Sequence, residues 1–471
     1  MLKRCLIALL AVLILGACAP HRPQTAQPRP LPARFSAAEE GPALTGRWWL
    51  AFDDPQLNGL MEQLFRSNLD LAQGHARLRQ SEALQRKARS FRYPALTFDA
   101  QGGESSQPGV MGTSRGESAQ LSVAAGFEID LFGKLEAGSR AALLNYQASR
   151  SDLQSLYMSL SAQLADLYYL AIEQRAQLQL TDATIASYAD SLTRVEERYR
   201  GGIGSVVDLY QARQNLAAAK AARLIYEQAL STAENALAVL LGDYPGSREF
   251  LQRREIPAAP PQLPAGLPAQ LLTDRPDIRA ALLRVEARDA ETAAAIADRF
   301  PSFNLVASAG RSRSDVTGSL ISGNFWSLLL KLSQPLFDGG RRKAEVERSR
   351  AQFAEAVAVY QQRVLKGFQE VEDALNGNRT TGMRIERLSE QVEATAAAQR
   401  LALERYLQGL SDYLPVLSAQ IYNFNARSQL LAARRQLLSQ RISLARALGG
   451  GWMAAQLDTD HQRLAAQGNE Q

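Results

Sequence analysis

The sequence predicts a mainly α-helical fold that also contributes β-strands to a membrane, and it predicts that this unit is duplicated. Three observations support the prediction: an internal repeat, segments in which apolar and polar residues alternate, and long helical stretches without proline. We expect two long-helix hairpins and a two-stranded β-hairpin in each half, because period two is typical of strands and a period near 3.6 of helices.

The internal repeat is visible as matching residues at a constant separation. The Arg-Tyr pair at 198–199 recurs at 405–406, and subtracting 198 from 405 gives an offset of 207. Gly202 recurs as Gly409 at the same offset. A repeat this long indicates two structurally equivalent halves, since solenoid repeats are only about 20–50 residues long.

The repeat and the local composition together divide the chain into segments. A Pro-rich connector separates the halves, and the strands are placed where the alternation is clearest. The predicted segments are a signal peptide at 1–17, a tether at 18–43, a first repeat at 44–256 with strands at 93–102 and 118–131, the connector at 257–268, a second repeat at 269–452 with strands at 300–312 and 324–336, and a polar tail at 453–471.

The N-terminus has the order of a secretory signal: basic residues, an apolar run from Leu6 to Leu15, and then small residues. The apolar run is shorter than the about 20 residues that a membrane-spanning helix needs. It ends on Leu-Gly-Ala-Cys, which resembles the bacterial lipobox and makes Cys18 the candidate for lipidation. Ala19 after that cysteine favours the outer membrane; the alternative is an ordinary signal peptide with a chance cysteine.

The strand segments alternate cleanly between apolar and polar residues. In the stretch from Ser118 to Leu131 every second residue from Leu121 onward is apolar, and the second half repeats the pattern. The Gly- and Ser-rich stretches 102–117 and 311–323 are expected to be loops. One interpretation is a soluble antiparallel sheet packed on helices, and the other is a sheet that crosses a bilayer.

The longest helical stretch runs from Leu135 to Arg200 without proline. A single helix of that length measures about 100 Å, which suggests coiled-coil packing. Several shorter helices are the alternative.

If the strands cross a bilayer, the four strands of one chain leave two sheet edges unpaired in hydrocarbon. Several copies must then share one closed sheet. Three copies with twelve strands are the smallest number that leaves an open interior, because about eight strands are filled by side chains.

The chain resembles the TolC-like outer membrane factors, in particular their lipidated NodT/OprM-type efflux branch. The resemblance covers essentially the whole mature chain, with two departures: Asp274-Arg275 stands where the family commonly has two arginines, and the first turn is unusually rich in glycine. The matching features are Trp48-Trp49, Asp54-Pro55, Leu57, Asn68, Asp70, Leu71, Arg275-Pro276-Asp277-Ile278, the two Arg-Tyr…Gly turns and Asp412-Tyr413-Leu414 with Val416-Leu417 and Ala419-Gln420.

This resemblance implies a homotrimer in which a twelve-stranded barrel in the outer membrane continues into a periplasmic α-helical barrel. It implies an iris-like closure at the periplasmic end, a periplasmic adaptor protein docked on the helical tips, and an inner-membrane pump. Gate candidates are Asp412, Tyr413, Tyr406 and Asp208; adaptor-contact candidates are Gly201, Gly202, Gly204, Gly409 and Ser411. For Asp412 the alternative is a helix cap, and for the tyrosines it is coiled-coil packing.

Other function classes find little support. The three histidines lie in the tether, a helix and the tail without ligand spacing, so no metal and no cofactor are expected. With 53 basic and 48 acidic residues and no long basic block, nucleic acid is not an expected partner. The sequence thus favours a small-molecule efflux duct, with protein secretion, metal-ion efflux or a non-transporting coiled-coil scaffold as alternatives.

Overall fold

The computed structural model describes residues 21–25, 30–35, 46–109, 112–246, 255–262, 264, 268–316 and 319–468. Cys18 therefore lies outside the described residues. The chain forms two compact units, each assembled from both halves of the sequence. The first comprises 1–29, 77–150 and 279–362, and the second comprises 30–76, 151–278 and 363–471.

The helices confirm the predicted duplication, because equivalent helices in the two halves have equal lengths of 22, 67 and 35 residues. None of the described helices is both long and apolar enough to cross a membrane. The helices are α1 Pro55–Ser67, α2 Leu69–Ser90, α3 Lys134–Arg200, α4 Val206–Leu240, α5 Leu271–Asp274, α6 Pro276–Ala297, α7 Arg341–Leu407, α8 Leu414–Leu448 and α9 Trp452–Gly468.

Four antiparallel strands form one sheet in the order β1-β2-β3-β4. They are β1 Ala95–Gly109, β2 Gly112–Ile129, β3 Ser302–Val316 and β4 Ser319–Ser333. The loops predicted at 102–117 and 311–323 are wrong, since both stretches continue the strands almost to the hairpin turns. Gly and Ser have low strand propensity, but the hydrogen-bonded ladder started by the apolar segments holds them in register.

The sheet has one apolar and one polar face. The register places Phe98, Val123, Ala309 and Trp326 side by side in one row, and residues two positions along each strand continue the same face. This apolar face is exposed: Leu96, Phe98, Trp326 and Leu328 are between 65% and 80% accessible. A soluble sheet buries its apolar face, so the interpretation as a soluble sheet packed on helices is wrong.

Ion pairs hold the strands to the adjoining helices in the first unit. Asp298 at the end of α6 accepts from Arg342 at 2.9 Å and pairs with Lys134 at 3.2 Å, while Lys134 also reaches Glu128 on β2 at 3.4 Å. Burial opposes ionisation of Asp298, but its two cationic partners outweigh burial and lower the pKa of its carboxyl. The ends of α3, α6, α7 and β2 are thereby held together at one point.

The second unit has an aromatic core around a short 3-10 turn at Trp48–Phe52. Trp49 packs edge-on against Trp452 with ring centres 4.8 Å apart, and Trp48 donates its indole N–H to Ser161 at 3.3 Å. Asp54 caps α1 by accepting from two backbone amides of its first turn. Large buried rings dominate the packing energy of such a core.

The predicted polar tail at 453–471 is wrong over its described part, because residues up to Gly468 form α9. Its apolar side buries Trp452, Met453 and Leu457. Asp460 on the same helix is 1% exposed and accepts a hydrogen bond from the Tyr157 hydroxyl at 2.6 Å. The polar composition hid an amphipathic helix whose large apolar residues at its start are buried.

The duplication also extends to single side chains at the ends of equivalent helices. Asn68 donates to the carbonyl of Leu240 at 2.7 Å, and its equivalent Arg275 donates to the carbonyl of Ala447 at 3.0 Å. Each pair is separated by the same 207 residues. The carbonyls at a helix C-terminus lack partners within the helix, so both halves satisfy them with a side chain from the start of another helix.

Replacing Tyr157 with Phe tests the attachment of α9. Tyr157 is fully buried between His75, whose Nε2 lies 2.9 Å from its hydroxyl, and Asp460. Without the hydroxyl, buried polar groups lose a partner, so we expect a loss of about 1–3 kcal/mol and a lower melting temperature by circular dichroism. Tyr244→Phe is the control because Tyr244 is 87% exposed. Equal melting of the two variants would contradict the account.

Replacing Asp277 with Asn tests the second-half helix junction. Its carboxylate pairs with Arg275 at 2.9 Å, and this pairing outweighs burial and lowers the pKa of Asp277 below its ordinary 3.8. The stabilisation is complete above pH 3.8 and lost as the pH falls through the lower folded-state pKa. We therefore expect Asp277→Asn to melt earlier than the parent at pH 7, by about 2 kcal/mol of stability, with the gap closing in acid.

The exposed repeat equivalent Asp70 provides the matched control for that measurement. Asp70→Asn removes the same charge from the same position of the other half. A melting temperature for Asp70→Asn as low as that for Asp277→Asn would show that the Arg275 pair is not the cause.

Candidate functional site

The two helical tips in the second unit are built in the same way. In the first turn Ile203 N–H donates to Arg198 O at 3.1 Å and Gly202 N–H donates to Tyr199 O at 3.0 Å. These two bonds around a glycine with φ of +77° form the Schellman motif that ends many helices. The motif explains why the repeat keeps a glycine here, since other residues are strained at positive φ.

The second turn repeats this geometry at the offset of 207. Leu410 N–H donates to Arg405 O at 2.9 Å and Gly409 N–H, with φ of +73°, donates to Tyr406 O at 3.0 Å. The turns differ where the next helix starts. Ser205 caps α4 by accepting from Val207 N–H at 3.1 Å, whereas the N-cap of α8 is Tyr413, whose side chain makes no capping bond. Asp412 therefore does not occupy the N-cap of α8.

Two of the gate candidates lie together in a buried cluster between the tips. The rings of Tyr406 and Tyr413 meet edge to face, 5.2 Å apart, and both are at most 3% exposed. Burial, helped by the neighbouring tyrosines and Asp208, raises the pKa of Tyr413 to about 12. Val195, Leu209, Ala212 and Val416 complete the cluster. The cluster joins all four helices that form the tips.

A polar contact closes one side of this cluster. The Tyr406 hydroxyl donates to Asp208 Oδ2 at 3.4 Å, and the guanidinium of Arg198 lies 4.9 Å from the centre of the Tyr406 ring. Arg198 also donates to the carbonyl of Leu407 at 3.1 Å and so links the two tips. Burial first, and then the charge of Asp208, raises the pKa of Tyr406.

The other candidates lie at the surface of the tips. Asp412, Gly201, Gly202 and Gly409 are exposed. Gly204 is half-buried, and a Cβ there would come within 2.9 Å of the backbone N of Tyr199, so a larger residue does not fit without a shift. Ser411 is half-buried and its hydroxyl has no hydrogen-bond partner among the described residues.

The surface of the tips is also apolar, which the sequence analysis did not anticipate. Ile203 in the first turn is 70% exposed, and Leu410 and Leu414 at the second turn are exposed as well. The sequence pattern also does not single out Arg198, although the Arg-Tyr pair is part of the repeat. Its contact with Tyr406 depends on how α3 and α7 pack, which the pattern within either helix does not contain.

The comparison with known proteins decides the family. A sequence profile of the outer membrane efflux protein family matches the chain twice, over residues 60–243 and 267–450. The chain belongs to the outer membrane efflux protein family. The two matched stretches cover most of the chain, and the resemblance drawn from the sequence is confirmed.

Three relatives illustrate the similarity. The solvent efflux pump outer membrane protein SrpC of Pseudomonas putida is 34% identical over 415 residues, covering 86% of this chain and 87% of that protein. The probable outer membrane lipoprotein SilC of Salmonella typhimurium is 29% identical over 467 residues, covering 96% of this chain and 100% of that protein. The solved outer-membrane channel OprN superposes with a TM-score of 0.85 at 31% identity, covering 92% of this chain and 99% of that chain.

These similarities establish a TolC-like channel fold and an efflux protein of the outer membrane. The matches run over nearly the full length of each relative, so they concern the whole architecture and not an isolated domain. The exposed apolar face of the sheet agrees with a membrane location, because strands facing lipid alternate apolar and polar residues.

Replacing Gly409 with Ala tests the second tip. Alanine at a φ of +73° costs about 1 kcal/mol, so we expect faster amide hydrogen exchange at the turn and a lower melting temperature. Gly382 lies within α7 with open space around its Cα, and Gly382→Ala is expected to be neutral or stabilising. A Gly409→Ala variant that exchanges like the parent would refute the role given to this glycine.

Proposed function

We propose that three copies of the chain form the exit duct of a tripartite efflux pump, which passively conducts small molecules across the periplasm and the outer membrane. The observation that carries this proposal is the sheet with one exposed apolar face and two free edges, β1 and β4. In hydrocarbon every backbone donor and acceptor needs a partner. Pairing β4 of one copy with β1 of the next satisfies both edges and closes twelve strands.

The polar face then lines the lumen. It carries Asp99, Gln101, Asn304, Ser308 and Lys331, each on the side of the sheet opposite the apolar row. A closed barrel with polar side chains inside holds water and passes solutes. A coiled-coil scaffold does not require a sheet with one apolar and one polar face. The duct hypothesis therefore explains this sheet, and the scaffold hypothesis does not.

The tips supply the periplasmic gate in this proposal. The cluster around Tyr406 and Tyr413 holds the two tips together, and the contact between Tyr406 and Asp208 fastens its edge. Threefold symmetry brings three copies of the exposed Asp412 near the axis. A ring of carboxylates at a constriction favours cations.

The outer surface of the tips is the proposed contact for a periplasmic adaptor protein. Gly201, Gly202, Gly204, Gly409 and Ser411 shape a surface with small side chains, and the exposed apolar residues around them suit a partner that buries them on docking. The adaptor joins the duct to an inner-membrane pump. The pump drives transport, and the duct itself carries out no chemistry.

The cargo proposed here is small organic molecules, because SrpC is a solvent efflux pump outer membrane protein by name. The proposed lipid anchor at Cys18 keeps each chain at the outer membrane, and the described segment 21–25 follows it closely in sequence. A homotrimer with three anchors and a shared barrel is held in the membrane by two independent means.

Conductance of Asp412→Ala in planar bilayers tests the gate. Loss of the three carboxylates is expected to lower the preference for cations, seen as a reversal potential closer to zero in a salt gradient. Glu62→Gln is the control, since Glu62 is an exposed carboxylate of α1 away from the tips. Unchanged selectivity and conductance in Asp412→Ala would rule out a gate role for Asp412.

The double variant Tyr406→Phe with Asp208→Asn tests the other part of the gate. It removes the 3.4 Å hydrogen bond and leaves the ring packing in place. We expect more frequent or larger conducting states, because the two tips lose a hydrogen bond that holds them together. Tyr226→Phe, which loses a similar hydroxyl contact to Ser428 on a helix pair away from the tips, is expected to conduct like the parent.

A further inference from the structure

Two arginines lie on the apolar face of the sheet. Arg311 and Arg313 on β3 continue the row of alternate residues that begins with Phe303 and Leu305. Both are exposed. A charged side chain on a face that meets lipid is costly in the middle of the bilayer and tolerated near its surface, so these residues need an explanation.

The cross-strand neighbours of both arginines are uncharged. Arg311 lies opposite Leu121 on β2 and Asn324 on β4. Arg313 lies opposite Ala119 and Ser322. Cross-strand pairing is where a sheet usually neutralises such charges, and here it does not.

The nearest acidic residue on this face of β2 is Glu117, two positions beyond Ala119 and therefore diagonal to Arg313. Side chains in that relation are about 7–8 Å apart. No ion pair of 4.0 Å or less joins either arginine to an acidic residue in the described part of the chain. This includes Asp315, which lies two positions beyond Arg313 on the same face of β3 and whose buried Oδ1 has no hydrogen-bond partner there. Two neighbouring guanidinium groups are thus left available to an external anion.

The arginines lie at the edge of the apolar band. From Phe303 to Arg311 the strand rises about 27 Å before tilt is counted, which is close to the about 25 Å band of outer-membrane barrels. Trp326, opposite Ala309, lies one row before Arg311 on the same face and is exposed. Aromatic rings of this kind are enriched at membrane–water interfaces.

The arginines also lie towards the hairpin end of the strands. The ends of β3 and β4 that join helices are Ser302 and Ser333, and Arg313 lies near the opposite end, at Val316–Ser319. In the proposed duct the helices are periplasmic, so the hairpin ends point outward and the arginines reach the outer leaflet. This step rests on the proposed function.

We propose that Arg311 and Arg313 form a lipid-facing site for the phosphate groups of the phosphorylated glycolipid of the outer leaflet, of the lipid A type. Guanidinium groups bind phosphate through paired hydrogen bonds, and at the edge of hydrocarbon these bonds are poorly screened. The acyl chains of the same lipid cover the apolar band below. Charge complementarity and position along the strand together select this occupant.

Native mass spectrometry of the purified protein with added lipid A tests the site. Bisphosphorylated lipid A is expected to stay bound to the parent, and Arg311→Ser with Arg313→Ser is expected to bind it about 25-fold more weakly, since each basic residue near anionic headgroups contributes a factor of about five. Lipid A from which both phosphates have been removed is expected to bind the parent as weakly as the double variant does.

Two further variants control the measurement. Lys331→Ser removes a cation from the polar face of the same sheet and is expected to bind lipid A like the parent. Arg311→Lys with Arg313→Lys keeps the charge but loses the paired geometry and is expected to fall between the parent and the serine variant. The lysine variant keeps the test decisive if the serine variant does not assemble.

Three results would overturn the proposal: equal binding by the parent and the serine variant, equal binding of phosphorylated and dephosphorylated lipid A, or displacement of lipid A by an equal concentration of phosphatidylglycerol. Conductance in bilayers of phosphatidylcholine without lipid A separates this proposal from the duct. If the protein conducts but its lipid A binding does not depend on the arginines, only the proposed lipid site is contradicted. If the protein never conducts, the proposed duct is contradicted.

Discussion

The constraint on which the rest of the structure depends is the backbone hydrogen bonding at the two edges of the four-stranded sheet. The sheet pairs β1 to β2, β2 to β3 and β3 to β4, and β1 and β4 have one neighbour each. With its apolar face exposed, the sheet belongs in lipid, where unpaired N–H and C=O groups have no water to bind. One chain does not satisfy this constraint, whereas the proposed barrel shared between copies does.

The helices of the two halves are duplicated as well. Equal helix lengths in the two halves give each chain two nearly equivalent long-helix hairpins. Each tip has a Schellman turn around Gly202 or Gly409, so both long helices end with the same local geometry. The halves differ after these turns: Ser205 caps the helix that follows the first turn, whereas the ring of Tyr413 packs in the buried cluster after the second. In the proposed duct, a duplicated scaffold with unequal tips suits a gate that opens without separating the three copies.

Much of the fold was predictable because the apolar residues recur with the periods of strands and helices, and because matching residues recur at an offset of 207. The extent of the strands within 102–117 was not predictable from the sequence. Glycine and serine are typical of loops, but the hydrogen-bonded ladder between β1 and β2 extends across them. The helix in the C-terminal tail was not predictable either, because α9 buries only a few apolar side chains such as Trp452. Within the candidate site, the contact between Asp208 and Tyr406 joins residues from different halves, and no repeat pattern relates them.

The central claim is that β4 of one copy pairs with β1 of the next, and disulfide trapping tests it most directly. The sequence has cysteines only at positions 5 and 18, so new pairs, one on β1 and one on β4, stand alone in a background lacking Cys18. We predict that facing pairs form covalent dimers and trimers on a denaturing gel under oxidation, whereas single cysteines on β2 and β3 do not. A chain that stays monomeric for every pair along the two edges would contradict the account.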